Sequence, residues 1–170
     1  GVVDAAERWR FLDNGALAAV DLVDAGRLCS AELAAEDLMA VSNTLIGNLH
    51  AAGADTMLMR IAGGLARRDT RTLLMAPALR PLLRGVVLAA ADALSAIEGA
   101  RRLHAVGLPV LAVSGAICRS PLAMAEARSG LQCPVLDARA LAMPERLQAL
   151  LGAGAGLSSI HDPRALAIAA

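Results

Sequence analysis

The residues best suited to chemistry are Gly63, Gly64, Arg67 and Arg68, which follow the apolar run Asp55-Thr-Met-Leu-Met-Arg-Ile61. A strand that ends in a glycine pair and then a polar turn opening a helix is the layout in which open α/β sheets hold ligands, at the carboxyl ends of the strands. Glycine lets backbone approach an anion, and a helix N-terminus offers unpaired N–H groups and a positive dipole end. A guanidinium fork suits phosphate or carboxylate. A solvated surface turn would have the same composition. Three further predicted strand ends carry polar or glycine residues: Asp24 with Gly26, Asp92, and Ser114 with Gly115. In a parallel sheet such ends share one edge and can converge on one cleft. Each also has a plain structural use, the glycines as turns and Asp92 and Ser120 as helix caps.

Arg60 lies inside the apolar run, where an arginine needs a partner; it either reaches the strand end or pairs with an acid such as Asp24. All 16 basic residues are arginine, so the phosphate-binding loop GxxxxGK[ST], whose lysine contacts the β/γ-phosphates, is absent from the chain. Arginine without lysine, with abundant alanine and no tyrosine, is also the composition a GC-rich genome produces. His50, His104 and His161 form no metal spacing with the cysteines, and His50 and His104 fall near predicted helix C-termini, where the dipole favours them. The motifs GxSxG and GxGxxG are absent. Gly152-Ala-Gly-Ala-Gly156 has alternate glycines but no preceding strand, and reads as a flexible tail.

Composition narrows the classes further. The chain has 170 residues, enough for one domain with a sizeable core, and is 56% hydrophobic but 1% aromatic. That core must be built of alanine, leucine, valine and methionine. Zero net charge removes any global electrostatic case for nucleic acid or an anionic membrane. Cys29, Cys118 and Cys133 are odd in number and widely spaced, which fits a reducing, cytoplasmic setting better than a disulfide framework. The apolar stretch 105–118 is interrupted by Gly107, Pro109 and Ser114 and is too short for a membrane span.

The elements that must position these residues follow from periodicity and turn chemistry. Residues 19–24 read as a short strand ending at Asp24-Ala-Gly26. Residues 31–52 show helical spacing, with Ser30 as N-cap and Gly53 as stop. Strand 55–61 and helix 69–75 follow, the latter ended by Pro77. The continuous run 85–91 reads as a strand buried on both faces. Helix 92–106, strand 109–114, a helix from Ser120-Pro121 to about residue 128, strand 133–136 and helix 144–151 complete the alternation. Strand–helix alternation of this kind predicts a three-layer α/β/α fold with a mostly parallel, doubly wound sheet. Residues 1–156 are expected to form a single domain and 157–170 a loose tail. The start at Gly1-Val-Val, without Met or a signal segment, suggests an N-terminally incomplete domain, whose exposed sheet edge would favour a homodimer.

The order Arg60-Ile-Ala-Gly-Gly64, then strand 85–91, helix 92–106 and Gly107-Leu-Pro-Val-Leu-Ala-Val113, resembles the dethiobiotin synthetase-like branch of the P-loop NTPases over roughly residues 20–136. There a strand runs into Glu-Gly-Ala-Gly-Gly. The resemblance implies Mg²⁺ with ATP or GTP, Asp24 as an acidic catalytic and metal-proximal residue, and Gly63 and Gly64 beside the phosphates. Arg67 and Arg68 would clamp phosphate, and Ser114-Gly115 would lie nearer the base. Two departures count against it: Arg60 stands where that branch has glutamate, and the lysine-bearing loop would have to precede residue 1. On this reading the chain is a cleft wall that binds nucleotide poorly by itself. Two alternatives stay open: a non-catalytic interaction or regulatory domain, and an enzyme binding a small phosphorylated or carboxylate ligand through Arg67 and Arg68.

Overall fold

The computed structural model describes residues 5–153 and 165–169. Its architecture is mixed α/β, built on a small parallel sheet with seven α-helices among the described residues. The strands are β1 (Thr56–Arg60), β2 (Leu83–Ala89), β3 (Val110–Ser114) and β4 (Ala165–Ala169), in the order β1-β4-β2-β3. Every pairing is parallel, with Leu58 opposite Ala167, Val86 opposite Ile168 and Leu88 opposite Val113. The helices are α1 (Ala5–Asp13), α2 (Ala35–Ala51), α3 (Arg68–Met75), α4 (Ala93–Ala105), α5 (Pro121–Gly130), α6 (Ala138–Leu141) and α7 (Pro144–Ala153).

Most of the expected elements are present within a few residues, because their capping chemistry is local. Asp92 caps α4, its carboxylate accepting from the backbone N–H of Ser95 at 2.7 Å. Ser120 caps α5, with Pro121 at the first helical position, where its missing N–H costs nothing. His50 and His104 lie in the last turns of α2 and α4, as their placement predicts.

Four expectations are corrected. Residues 19–24 form no strand: Leu22–Ala25 is a 3-10 turn. The Asp21 carboxylate accepts from Val23 N–H and the Asp24 carboxylate from Asp21 N–H, each at 2.8 Å, so side chains take the amides a strand would need. Ser30 does not cap α2, which begins after Ala34. Residues 133–136 make only a single bridge, Val135 to Val113. Residues 165–169, expected in a loose tail, instead form the strand between β1 and β2. The boundary drawn at 156 and 157, like His161, lies outside the described residues.

The core sits where β2 and β3 meet α4 and α5. Val86, Leu88, Val110 and Val113 pack with Leu103 of α4, Ile117 and Leu74, while Ala96 and Ala127 are fully buried. Alanine at those two positions lets the helices close on the sheet, in a core cluster without aromatic side chains. A smaller cluster of Leu111, Ala112 and Leu150, with Leu136 and Leu141 against it, carries α7 onto β3. Val110 to Val113 are all buried, so β3 is covered on both faces. On β1 burial alternates: Met57 is buried and Leu58 is 53% exposed. Among the described residues no helix is long and apolar enough to cross a membrane.

Candidate functional site

The carboxyl ends of β1, β2 and β3 lie on one edge of the sheet, as parallel pairing requires. They bring Gly63-Gly64, Asp92 and Ser114-Gly115 to that edge. The glycine pair follows β1 directly, and Gly64 adopts the left-handed conformation with φ +62°. The Arg67 N–H then bonds back to the Gly64 carbonyl at 3.3 Å, and α3 starts at Arg68.

What fills this turn is the protein's own charge. Arg67 donates to Asp69 through Nε and Nη2, each at 3.1 Å, in a two-pronged pair. The Asp69 carboxylate is 6% exposed and also accepts from Ser30 Oγ at 2.8 Å and from the Thr70 backbone N–H at 3.0 Å. The Arg67 guanidinium holds the Asp69 carboxyl far below the usual carboxylate range, with Ser30 and the Thr70 amide adding to it. Asp69 in turn raises the already high pKa of Arg67. A buried anion therefore occupies the helix N-terminus and the arginine fork together, the two features that would otherwise attract a phosphate.

Gly63 belongs to the same arrangement. A Cβ there would lie 2.6 Å from Arg67 Cδ and 2.7 Å from its Nε, so the arginine stem runs directly over the glycine. The close approach at Gly63 is made by the Arg67 side chain. Thr70, 1% exposed, has its Oγ1 buried without a hydrogen-bond partner beside this contact, 3.1 Å from the same Cβ position.

The other candidates have equally internal partners. Asp24 accepts from Arg8 at 3.0 and 3.1 Å and from the Asp21 backbone at 2.8 Å. The Asp21 amide is the larger cause, and Arg8 a lesser one, of a carboxyl held below its ordinary value. Arg60 pairs with Glu7 of α1, so the acid that answers it is one that sequence reasoning did not single out. Asp92 is a cap whose carboxyl is lowered first by the Ser95 amide and then by its hydroxyl. The Ser114 carbonyl accepts from Ala90 N–H at 2.9 Å. Gly115 has φ +99° and ψ −153°, a region open essentially to glycine alone, and a Cβ there would meet the Ala90 carbonyl oxygen at 2.9 Å. Its glycine is a packing requirement between the ends of β2 and β3.

The structure thus brings Gly63, Gly64, Arg67 and Arg68 together, places Ser114-Gly115 on the same sheet edge, and engages Asp24 in the Leu22–Ala25 turn and with Arg8 of α1. Arg68 is exposed, and no ion pair to it is found among the described residues. Among those residues no group of three His, Cys, Asp or Glu could hold a metal ion. What sequence reasoning missed is that Asp69 and Ser30 bond to each other and that Asp69 takes Arg67. Asp69 was legible as an acid two positions after Arg67, whereas Ser30 lies 39 positions away with no signal linking them. Comparison of the chain with family profiles, with curated proteins and with solved structures found no match.

Proposed function

We propose that this chain is a non-catalytic interaction or regulatory α/β domain whose strand-end crevice is closed by its own ion pairs. One observation carries the reading: the buried Asp69 carboxylate takes both prongs of Arg67, the Ser30 hydroxyl and an amide at the start of α3. Freeing Arg67 for a ligand would leave that carboxylate buried and under-bonded, which costs about 2–3 kcal/mol for a hydrogen-bonded charge. A weakly held phosphate does not offset this.

A second reading keeps the P-loop NTPase-like cleft wall and its doubly wound, three-layer sheet. Its support is the wholly parallel pairing, with α4 and α7 both packed on β3, and the open space over Gly64 beside exposed Arg68. In that reading Mg²⁺ and the nucleotide's phosphates would depend on residues other than Arg67 and Asp24.

Isothermal titration with Mg²⁺-ATP, Mg²⁺-GTP and inorganic phosphate separates the two. The non-catalytic reading expects no saturable heat from any of them. Saturable nucleotide binding that Arg68→Ala abolishes would overturn it in favour of the second.

A further inference from the structure

At the opposite end of β3 the chain leaves a cleft of about 400 Å³, bordered by Pro109, Leu111, Cys133, Leu136, Arg146 and Leu150. Its origin is in the sequence. Val135 bridges Val113, with Val113 N–H donating to the Pro134 carbonyl and Leu136 N–H to the Val113 carbonyl, each at 2.9 Å. Extending this ladder toward the start of β3 would need a donor at position 134, and proline has none. The ladder therefore stops at Pro134, and α7 closes the gap from one side through Leu150 packed with Leu111.

The walls are mostly apolar, and among the described residues that line the space Arg146 is the only charged one. Among the described residues no ion pair engages Arg146, in contrast to Arg67, Arg8 and Arg60. Burial pushes the Cys133 thiol up, so it stays protonated and contributes a soft, weakly polar wall. A volume at the lower end of the range for small-molecule sites, apolar walls and one orienting cation make a consistent set. One guanidinium balances a single negative charge. A phosphate dianion against these walls would keep uncompensated charge, which is costly.

We infer that the cleft between the Pro109 end of β3, segment 131–136 and α7 binds a small amphipathic monocarboxylate, its apolar body on Leu111, Leu136 and Leu150 and its carboxylate on Arg146. This stands apart from the proposal for the strand-end crevice, since the two share no residue and either can fail alone.

The test uses the full chain and the alkylation of its own thiols by N-ethylmaleimide, read cysteine by cysteine by peptide mass spectrometry, with octanoate as probe. Octanoate is expected to slow modification of Cys133 saturably and to leave Cys29, which lies outside the cleft, unaffected. Octanol is expected to protect about tenfold less well at equal concentration, the loss that goes with a missing charge-assisted hydrogen bond. Arg146→Gln is expected to raise the half-protecting octanoate concentration by a similar factor. The octanoate–octanol comparison on the unmodified chain decides the matter if that variant folds poorly. Absence of protection, equal protection by octanol, or equal slowing at Cys29 overturns the inference.

Discussion

The two ends of the sheet handle arginine in opposite ways. At the carboxyl edge Arg67 is locked to Asp69, and nearby Arg60 and Arg8 are paired with Glu7 and Asp24. At the amino end of β3 Arg146 borders a mostly apolar cleft with no acid among the described residues that line it. The first edge looks chemical in sequence because glycines and arginines cluster there, yet Gly63, Arg67 and Gly115 are engaged by the protein's own groups. The second has no motif at all, only two prolines and a cysteine spread over some 25 positions. Clustering in sequence therefore marks a demanding local geometry, and whether that geometry serves a ligand depends on what else is buried beside it.

Substitution at three positions would break this contrast. Gly115→Ala should lower unfolding free energy by about 3 kcal/mol or more, because it adds a glycine-only conformation to a backbone clash with Ala90. Denaturant unfolding measures this, and a change near zero would show that the junction of β2 and β3 relaxes easily and had room for a ligand.

Asp69→Asn should cost about 2 kcal/mol at pH 7, through loss of the charge-assisted bonds from Arg67 and Ser30. The sign of its pH dependence is fixed. The folded-state pKa of Asp69 is depressed, so its contribution is fully present above the unfolded value of about 3.9 and drains away as pH falls toward the folded value. The difference between parent and variant should therefore narrow below about pH 4. A gap that stays constant with pH would mean that the carboxylate's charge is not what closes the crevice.

The smallest effect belongs to Asp24→Ala, at no more than about 1 kcal/mol, as expected of an exposed ion pair and turn cap. A loss as large as that for Asp69→Asn would place the weight of this edge on Asp24.

Much of the fold was legible because it is written locally. β1, β2, β3, α3, α4 and α5 announce themselves through apolar runs and through Asp92 and Ser120-Pro121 at helix starts. Two failures share a cause. Residues 19–24 have the composition of a strand, but Asp21 and Asp24 bond to backbone amides and bend the segment into a turn. Ser30 looks like a cap, and its hydroxyl was claimed by a carboxylate 39 positions away. In both, a side-chain hydrogen bond that periodicity does not register outcompetes the regular pattern. The strand 165–169 was hidden for another reason: its short alanine-rich run resembles a tail until β1 and β2 pair with it on either side.

The sequence alone determined that these 170 residues hold no lysine-dependent phosphate loop, that the core is built of small and aliphatic side chains, and that a glycine turn follows β1 into an arginine-bearing helix start. Those are matters of residue type and short-range spacing, where backbone sterics and capping leave few options. Tertiary structure decided what the arginines face. Arg67 meets a buried carboxylate supplied two residues on and fixed by distant Ser30, whereas Arg146 borders a cleft that exists because Pro134 cannot continue a ladder. A charge acquires its role from the partners that burial brings within bonding distance, and for Ser30 and Asp69 that distance is closed only by the fold.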